Sequence, residues 1–229
     1  MLLVSTSVLK EIEMKKFEIF DLSSLKPGYN VINERQYFVF PENFGGEKAN
    51  DLFMERMQIS PFTAANAASV ETSAIDLYFA NIGNDEGTRF TCEQMKLVQA
   101  GPCIFAEERF LKKMEAVDFL SVLAHEEGHI QHNHLDGGYQ EEQLQETNGM
   151  KIVVDTAIEL QADNFAALTF SKEVVAKALL VTHQLIFREI GRHRGESEEG
   201  IERKVKRLGE IDVLRERIEA LGAGYLLDN

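Results

Sequence analysis

Residues 117–130 read VDFLSVLAHEEGHI, and their spacing predicts a helix that carries candidate functional groups. Apolar residues recur there at intervals of three and four, which is the period of an amphipathic helix. Two histidines, His125 and His129, stand four positions apart. On a helix such residues share one face, about one turn apart, so both imidazoles can bind one metal ion. The stretch therefore predicts a helix that is buried on one side and presents a pair of metal ligands.

Glu126, directly after the first histidine, is a candidate general base. Zinc lowers the pKa of a water that it binds toward ~7, and a neighbouring carboxylate can then accept the proton. Gly128, between the two histidines, costs helix stability relative to alanine. We expect the close approach of another chain segment beside the metal to compensate for that cost. The HEEGH sequence thus matches the HExxH zinc-binding pattern in full.

A catalytic zinc site needs three protein ligands and one open position, so another ligand must come from elsewhere in the chain. A metzincin would place a histidine six residues after the second ligand, but that position is Leu135, and His134 is one residue short. His132 stands where such a site needs glycine. This arrangement therefore fails, and we expect His132 and His134 to lie at the helix end, where their charge favours the helix dipole.

A second helical stretch supplies a better candidate for the third ligand. Glu159 and Asp163 are also four residues apart and share one face of the predicted helix. Glu159 is the predicted ligand, and Asp163 is predicted to accept a hydrogen bond from the free ring nitrogen of His125, which would orient that ring. Ala162 and Ala166 beside them are small enough to let the two helices pack closely. An ordinary acidic helix face is the alternative.

The rest of the chain predicts an α+β fold with a small mixed sheet packed on the HExxH helix and a helical C-terminal half. Strands are predicted at 17–20, 36–40, 75–82, 89–95 and 103–106, a helix at 47–59 and an irregular linker at 60–72. After a polar connection at 134–149, helices are predicted at 152–170, 172–190 and 201–221. Residues 73–229 form the predicted zinc domain. For residues 1–72 three roles stay open: completing the sheet, covering the cleft or binding a partner.

An HExxH motif followed about thirty residues later by Glu-x-x-Ala-Asp resembles the gluzincin metallopeptidases. It is most similar to the group of the CAAX prenyl protease and HtpX-type peptidases, with their soluble minigluzincin relatives. The resemblance covers about residues 75–208 and implies a zincin-like fold. It also implies that an apolar edge strand before the active-site helix holds extended substrate by β-augmentation. Cys103, Ile104, Phe105 and Ala106 occupy that place here.

Two features of that group are altered or missing in this sequence. Its membrane members carry transmembrane helices, and no apolar run here approaches the ~20 residues that a membrane helix needs. Many members have a His-Pro loop before a helix that starts Arg-Ile-x-x-Leu. The comparable residues here are His193 and then Lys204 to Leu208, without the proline. His193 is therefore a candidate oxyanion stabiliser or an exposed loop residue, and Arg203 and Arg207 are alternatives.

Composition limits the partners that the protein can have. The 229 residues carry a net charge of −14, which argues against nucleic acid and against an anionic membrane surface. Two cysteines, Cys92 and Cys103, are too few for a disulfide framework, and the N-terminus lacks the pattern of a secretory signal. We therefore expect a soluble, cytoplasmic protein.

Together these features predict a zinc-dependent endopeptidase that acts on peptides or proteins with one Zn²⁺. His125, His129 and Glu159 would hold the ion, and Glu126 would act as general base. Tyr139 and Tyr225 are further candidates for proton donation, and the acidic stretch 136–148 is a candidate lid or a solvated loop. Two alternatives stay open: a latent or non-catalytic zinc-stabilised interaction module, and a metal-dependent hydrolase of non-peptide amides or esters.

Overall fold

The structure of the protein is a computed structural model that describes residues 16–42, 64–70, 93–135, 144–147, 150–153, 156–190 and 213–228. Its larger sheet has four strands: β1 (Gly28–Ile32), β2 (Arg35–Phe40), β3 (Ala65–Val70) and β4 (Gly101–Glu107). The strand order is β1-β2-β4-β3, with β2 and β4 parallel and the other two pairs antiparallel. The chain is therefore α+β with a small mixed sheet, and strands from before residue 72 complete that sheet.

The position of β4 corrects one expectation. The strand predicted at 103–106 is confirmed, but it lies between β2 and β3, so Cys103, Ile104, Phe105 and Ala106 are not an edge strand. All four residues are buried. A continuous apolar run is typical of an interior strand covered on both faces, and this explains why such a run marks the centre of the sheet rather than its edge.

The edge beside β4 is formed by β3, where the sequence predicted an irregular linker. Residues 65–70 read ANAASV and contain little of the β-branched and aromatic character that favours strands. Their extended conformation comes from pairing along β4, from Ala65 opposite Ala106 to Val70 opposite Gly101. Among the described residues nothing pairs with the other side of β3.

The helices follow the prediction more closely. They are α1 (Glu108–Lys113), α2 (Ala116–Gln131), α3 (Thr156–Thr169), α4 (Lys172–Ile190) and α5 (residues 213–220). The motif helix is α2, and α4 has the predicted bounds. No described helix is both long enough and apolar enough to cross a membrane.

Three other local predictions are wrong. Residues 17–20 are not a strand, and Phe17 packs its ring against Phe170, with the ring centroids 6.3 Å apart. Residues 93–95, predicted as the end of a strand, are helical. A hairpin of β5 (Leu144–Thr147) and β6 (Met150–Val153) occupies part of the predicted polar connection at 134–149 and the first residues of the helix predicted at 152–170. The predictions for 47–59, 75–82, 136–143 and 191–212 lie outside the described residues.

Both faces of the sheet are buried. Alternate residues of β2 and β4 (Tyr37, Val39, Ile104 and Ala106) join one apolar cluster with α2, α3 and α4. The residues between them pack in a second cluster on the opposite face, which includes Phe38 and Phe105. The first cluster fixes α2 against the sheet, and α2 carries the HExxH residues.

Candidate metal centre

One face of α2 and the start of α3 bring three candidate ligands together. His125 and His129 are both 7% exposed, and their Nε2 atoms lie 3.0 Å apart. Glu159 places one carboxylate oxygen 3.3 Å from His125 Nε2 and the other 3.5 Å from His129 Nε2. Tetrahedral metal sites with bonds of about 2.0–2.1 Å separate their ligand atoms by about 3.3 Å. The three residues predicted from the sequence therefore form a group that could hold a metal ion.

Close packing of α2 on α3 makes this geometry possible. A Cβ atom on Gly128 would lie 2.9 Å from Ala162 Cα and 3.0 Å from Ala162 O. It would also lie 3.1 Å from Phe165 Cβ. The expectation that another chain segment approaches Gly128 closely is confirmed, and the segment is the helix that carries Glu159.

Asp163 lies one turn beyond Glu159 and is fully buried. Its Oδ1 atom is 2.9 Å from His125 Nδ1, so the carboxylate reaches the ring nitrogen that faces away from the candidate metal position. The structure thus brings Asp163 to the ring that the sequence analysis named. Such a contact fixes the tautomer and the orientation of a ligand histidine.

A buried arginine completes the site, and sequence reasoning missed it. Arg217 of α5 binds both oxygens of Asp163, with Nε 2.8 Å from Oδ2 and Nη2 2.7 Å from Oδ1. Its Nη1 atom lies 2.8 Å from Glu159 Oε2. A signal for it was present: residues 217–221 read RIEAL and fit Arg-Ile-x-x-Leu, the pattern that was expected at residues 204–208. Arg203 and Arg207, like His193, lie outside the described residues.

The charges of this cluster suit a divalent cation. With all three carboxylates ionised and both histidines neutral, Glu126, Glu159 and Asp163 contribute −3 and Arg217 contributes +1, which leaves −2 in a largely buried site. Buried charge is costly unless it is paired. Arg217 lowers the pKa of Glu159 and of Asp163 against the opposing effect of burial, so both carboxylates stay ionised. A dication would neutralise what remains.

The histidine pKa values differ because their neighbours differ. Burial and Arg217 lower the pKa of His125, but Asp163 and Glu159 outweigh both and raise it to about 10. Burial and the charge of His125 lower the pKa of His129 to about 3. Without a bound metal ion His125 would therefore carry the proton, whereas His129 would be neutral.

Glu126 points from α2 toward β3. Burial raises its pKa to about 7, with a further contribution from Glu159. Its Oε2 atom accepts a hydrogen bond of 2.7 Å from the backbone N–H of Ala67. Ala64 O, by contrast, accepts from Glu107 N on the β4 side. Since successive residues of an antiparallel strand point their backbone groups to opposite sides, Ala65, Ala67 and Ser69 direct theirs to the side of β3 that no described strand covers, and this side faces Glu126.

Glu127, the second glutamate of the motif, has a different partner. Arg35 binds it with two hydrogen bonds, Nε to Oε2 at 2.6 Å and Nη2 to Oε1 at 2.7 Å. Gln131 donates to the same carboxylate at 2.6 Å. The bidentate pair ties the centre of α2 to the start of β2, so the motif helix is fixed on its sheet side as well as on its α3 side.

His134 lies close to the second candidate ligand. Its Nδ1 atom is 3.0 Å from His129 Nδ1, and its Nε2 atom is 3.0 Å from Gln161 Oε1. The sequence analysis placed His132 and His134 at the helix end, and His132 is indeed the C-terminal cap of α2. The contact between the two rings was not predicted.

Tyr225 does not reach the candidate centre. It is 53% exposed, and its hydroxyl donates to Glu173 Oε1 at 2.9 Å. Tyr139 lies outside the described residues.

No family model matches the chain, and no curated protein and no solved structure is significantly similar to it. The resemblance to gluzincins therefore rests on the sequence motifs alone.

Proposed function

We propose that this protein is a zinc-dependent endopeptidase of gluzincin type. The observation that carries the proposal is the set of ligand atoms from His125, His129 and Glu159, which lie 3.0–3.5 Å apart with Glu126 beside them. Two imidazole nitrogens and one carboxylate leave the fourth position of a tetrahedral ion open, as catalytic zinc sites do. Mixed nitrogen and oxygen ligands in this geometry favour zinc over magnesium or calcium, which prefer oxygen ligands.

Each residue then has a defined task. A bound zinc ion supplies Lewis-acid polarisation of the scissile carbonyl and lowers the pKa of water. Glu126 would accept the proton of the attacking water and return it to the leaving amine, a role that suits a buried carboxylate beside the open ligand position. Asp163 orients His125, and Arg217 holds Asp163 and Glu159 in place.

The open edge of β3 is the proposed position for extended substrate. The backbone groups of Ala65, Ala67 and Ser69 point to the side of Glu126, where no described strand pairs with them, and a peptide can add to such an edge as another strand. A substrate would then pair with Ala65–Val70 instead of with the interior strand β4. The net charge of −14 favours basic or neutral peptides through long-range attraction.

The test compares zinc-loaded wild type with Glu126→Gln on an unbiased peptide library, read by mass spectrometry. We expect cleavage by the wild type and a loss of at least a hundredfold in the variant, because one positioned base contributes ~10²–10⁴ in rate. Glu115→Gln is the matched control: this glutamate precedes α2, its side chain is 72% exposed, and it should leave turnover unchanged. Equal turnover of wild type and Glu126→Gln would contradict the mechanism.

One contact of Glu126 favours a second candidate function, a latent or non-catalytic zinc-stabilised module. The Ala67 N–H already occupies one oxygen of Glu126, as it would in a resting state in which the base is not free. Stoichiometric zinc binding without cleavage of any library peptide would favour this candidate.

A further inference from the structure

We propose that His134 is a positioning residue of the metal centre, which holds His129 in the tautomer that presents Nε2 to the ion. The inference rests on the proposed function, since it requires that His129 bind a metal. Its basis is a hydrogen-bonded series of three side chains that leads from His129 through His134 to Gln161.

The proton positions follow from the metal-binding requirement. His129 Nε2 faces His125 and Glu159 and must be unprotonated to bind a metal. The neutral ring then carries its proton on Nδ1, which is 3.0 Å from His134 Nδ1. His134 must accept there, so its own proton lies on Nε2, where it donates to Gln161 Oε1 at 3.0 Å. Every contact in the series then has one donor and one acceptor.

The end of α2 holds His134 in this position. Asn133 adopts a left-handed conformation, with φ of 61°, and reverses the chain directly after the cap residue His132. His134 N–H then donates to His129 O at 2.9 Å, and Asn133 N–H donates to Ile130 O at 3.0 Å. These two bonds define a Schellman motif, in which the residue after the left-handed one often touches the residue five positions earlier. Here an imidazole pair makes that contact, so backbone and side chain both join His134 to His129.

The two histidine ligands are therefore oriented by different groups. A carboxylate, Asp163, orients His125 at 2.9 Å, whereas a neutral imidazole orients His129. Groups that orient a ligand contribute ~10–100-fold to metal affinity. We expect His134 to contribute within that range, and Gln161 to contribute less because it acts through His134.

The experiment measures the zinc dissociation constant by competition with a chromophoric chelator, and requires no activity. His134→Leu should weaken zinc binding ~10–100-fold. His134→Asn should stay within threefold of wild type, because its Oδ1 can accept in the position of Nδ1. His132→Leu is the matched control: His132 stacks on His134 and has no described hydrogen bond to His129, so its loss should change affinity less than threefold.

The possible results distinguish this inference about His134 from the proposed zinc site on which it rests. A loss of zinc affinity in His134→Leu, together with near wild-type affinity in His134→Asn, supports the inference. Unchanged affinity in His134→Leu, or equal loss in both variants, would overturn it while leaving the zinc site intact. If His134→Leu does not fold, Gln161→Leu gives the same test with a smaller loss, and no change there would count against the inference. A wild type that binds no zinc would overturn the metal centre and this inference with it.

Discussion

Replacing Gly128 with alanine tests whether the contact between α2 and α3 builds the metal centre. The new Cβ would meet Ala162 Cα at 2.9 Å and Ala162 O at 3.0 Å, and both of these are backbone atoms. Backbone atoms cannot rotate away, so the helices themselves must separate. Ordinary contact begins near 3.4 Å, so relief of the closest contact requires 3.4 − 2.9 = 0.5 Å. Glu159 lies on the same helix as Ala162 and would move with it.

This displacement is large for a metal site and modest for overall stability. Plausible metal–ligand distances vary by only about 0.2 Å, so a shift of half an ångström should weaken zinc binding at least tenfold, or about 1.4 kcal/mol. Stability responds to two opposing effects. Alanine gains about 1 kcal/mol in helix propensity over glycine, and overpacking costs about 1–3 kcal/mol. The net change lies between about zero and 2 kcal/mol of destabilisation, so zinc affinity is the sharper measurement.

The assay is chelator competition for zinc on Gly128→Ala and wild type, with thermal melting of both proteins in the metal-free form. Val117→Ala is the control: Val117 lies on the same helix, is 41% exposed, and gains helix propensity without meeting α3. Its zinc affinity should equal that of wild type. A Gly128→Ala protein that binds zinc like wild type and melts at a higher temperature would refute the close contact and the reasoning built on it.

Three other perturbations address the rest of the site. Arg217→Met should cost about 3–5 kcal/mol in the metal-free protein, because it leaves buried carboxylates without their partner; urea denaturation measures this, and Arg215→Met, at an exposed position of the same helix, should change little. Ala67→Pro should retain the fold but lower kcat/KM for peptides, because the N–H group that it removes points away from β4, toward Glu126. Ala68→Pro should unfold the sheet, because the N–H group that it removes faces β4. Equal melting temperatures of the two proline variants would contradict this register. Zinc binding at pH 8 should release about one proton, because His125, with a pKa raised to about 10, must lose its proton to bind. The apparent zinc affinity should then fall as pH falls below 10. Calorimetry in buffers of different ionisation enthalpy measures the number of protons released, and a value near zero would contradict this prediction.

The candidate metal ligands were predictable because the spacing within each pair is local to a single helix. His125 and His129 are joined by helical spacing, and so are Glu159 and Asp163, so a period of four was enough to place each pair on one face. The small residues near them predicted that the two helices pack closely, and Gly128 against Ala162 confirms it. The four-residue spacing and the small size of the neighbouring residues were enough to predict this part of the site.

The strand next to the site was not predictable in this way. Residues 65–70 carry an alanine-rich sequence without alternation, and they are extended only because β4 offers them a ladder of backbone partners. Small side chains have a separate consequence here, since they let the backbone of Ala67 approach within 2.7 Å of Glu126. Local propensity therefore gave the wrong answer at the position where tertiary pairing decides the conformation.

Arg217 shows why the local motifs do not complete the centre. It stands 92 residues after His125 and 54 after Asp163, yet its guanidinium binds the carboxylate that orients His125. Without it, three largely buried carboxylates would face a single protonated histidine in the metal-free protein. With it, the carboxylates contribute −3 when Glu126 is also ionised, and Arg217 and protonated His125 contribute +2, so the cluster without metal carries at most −1. When a dication replaces the proton on His125, the sum becomes zero. The same arginine thus pairs with the candidate ligand set and would leave it balanced around a dication, so helix α5 contributes to the candidate metal centre.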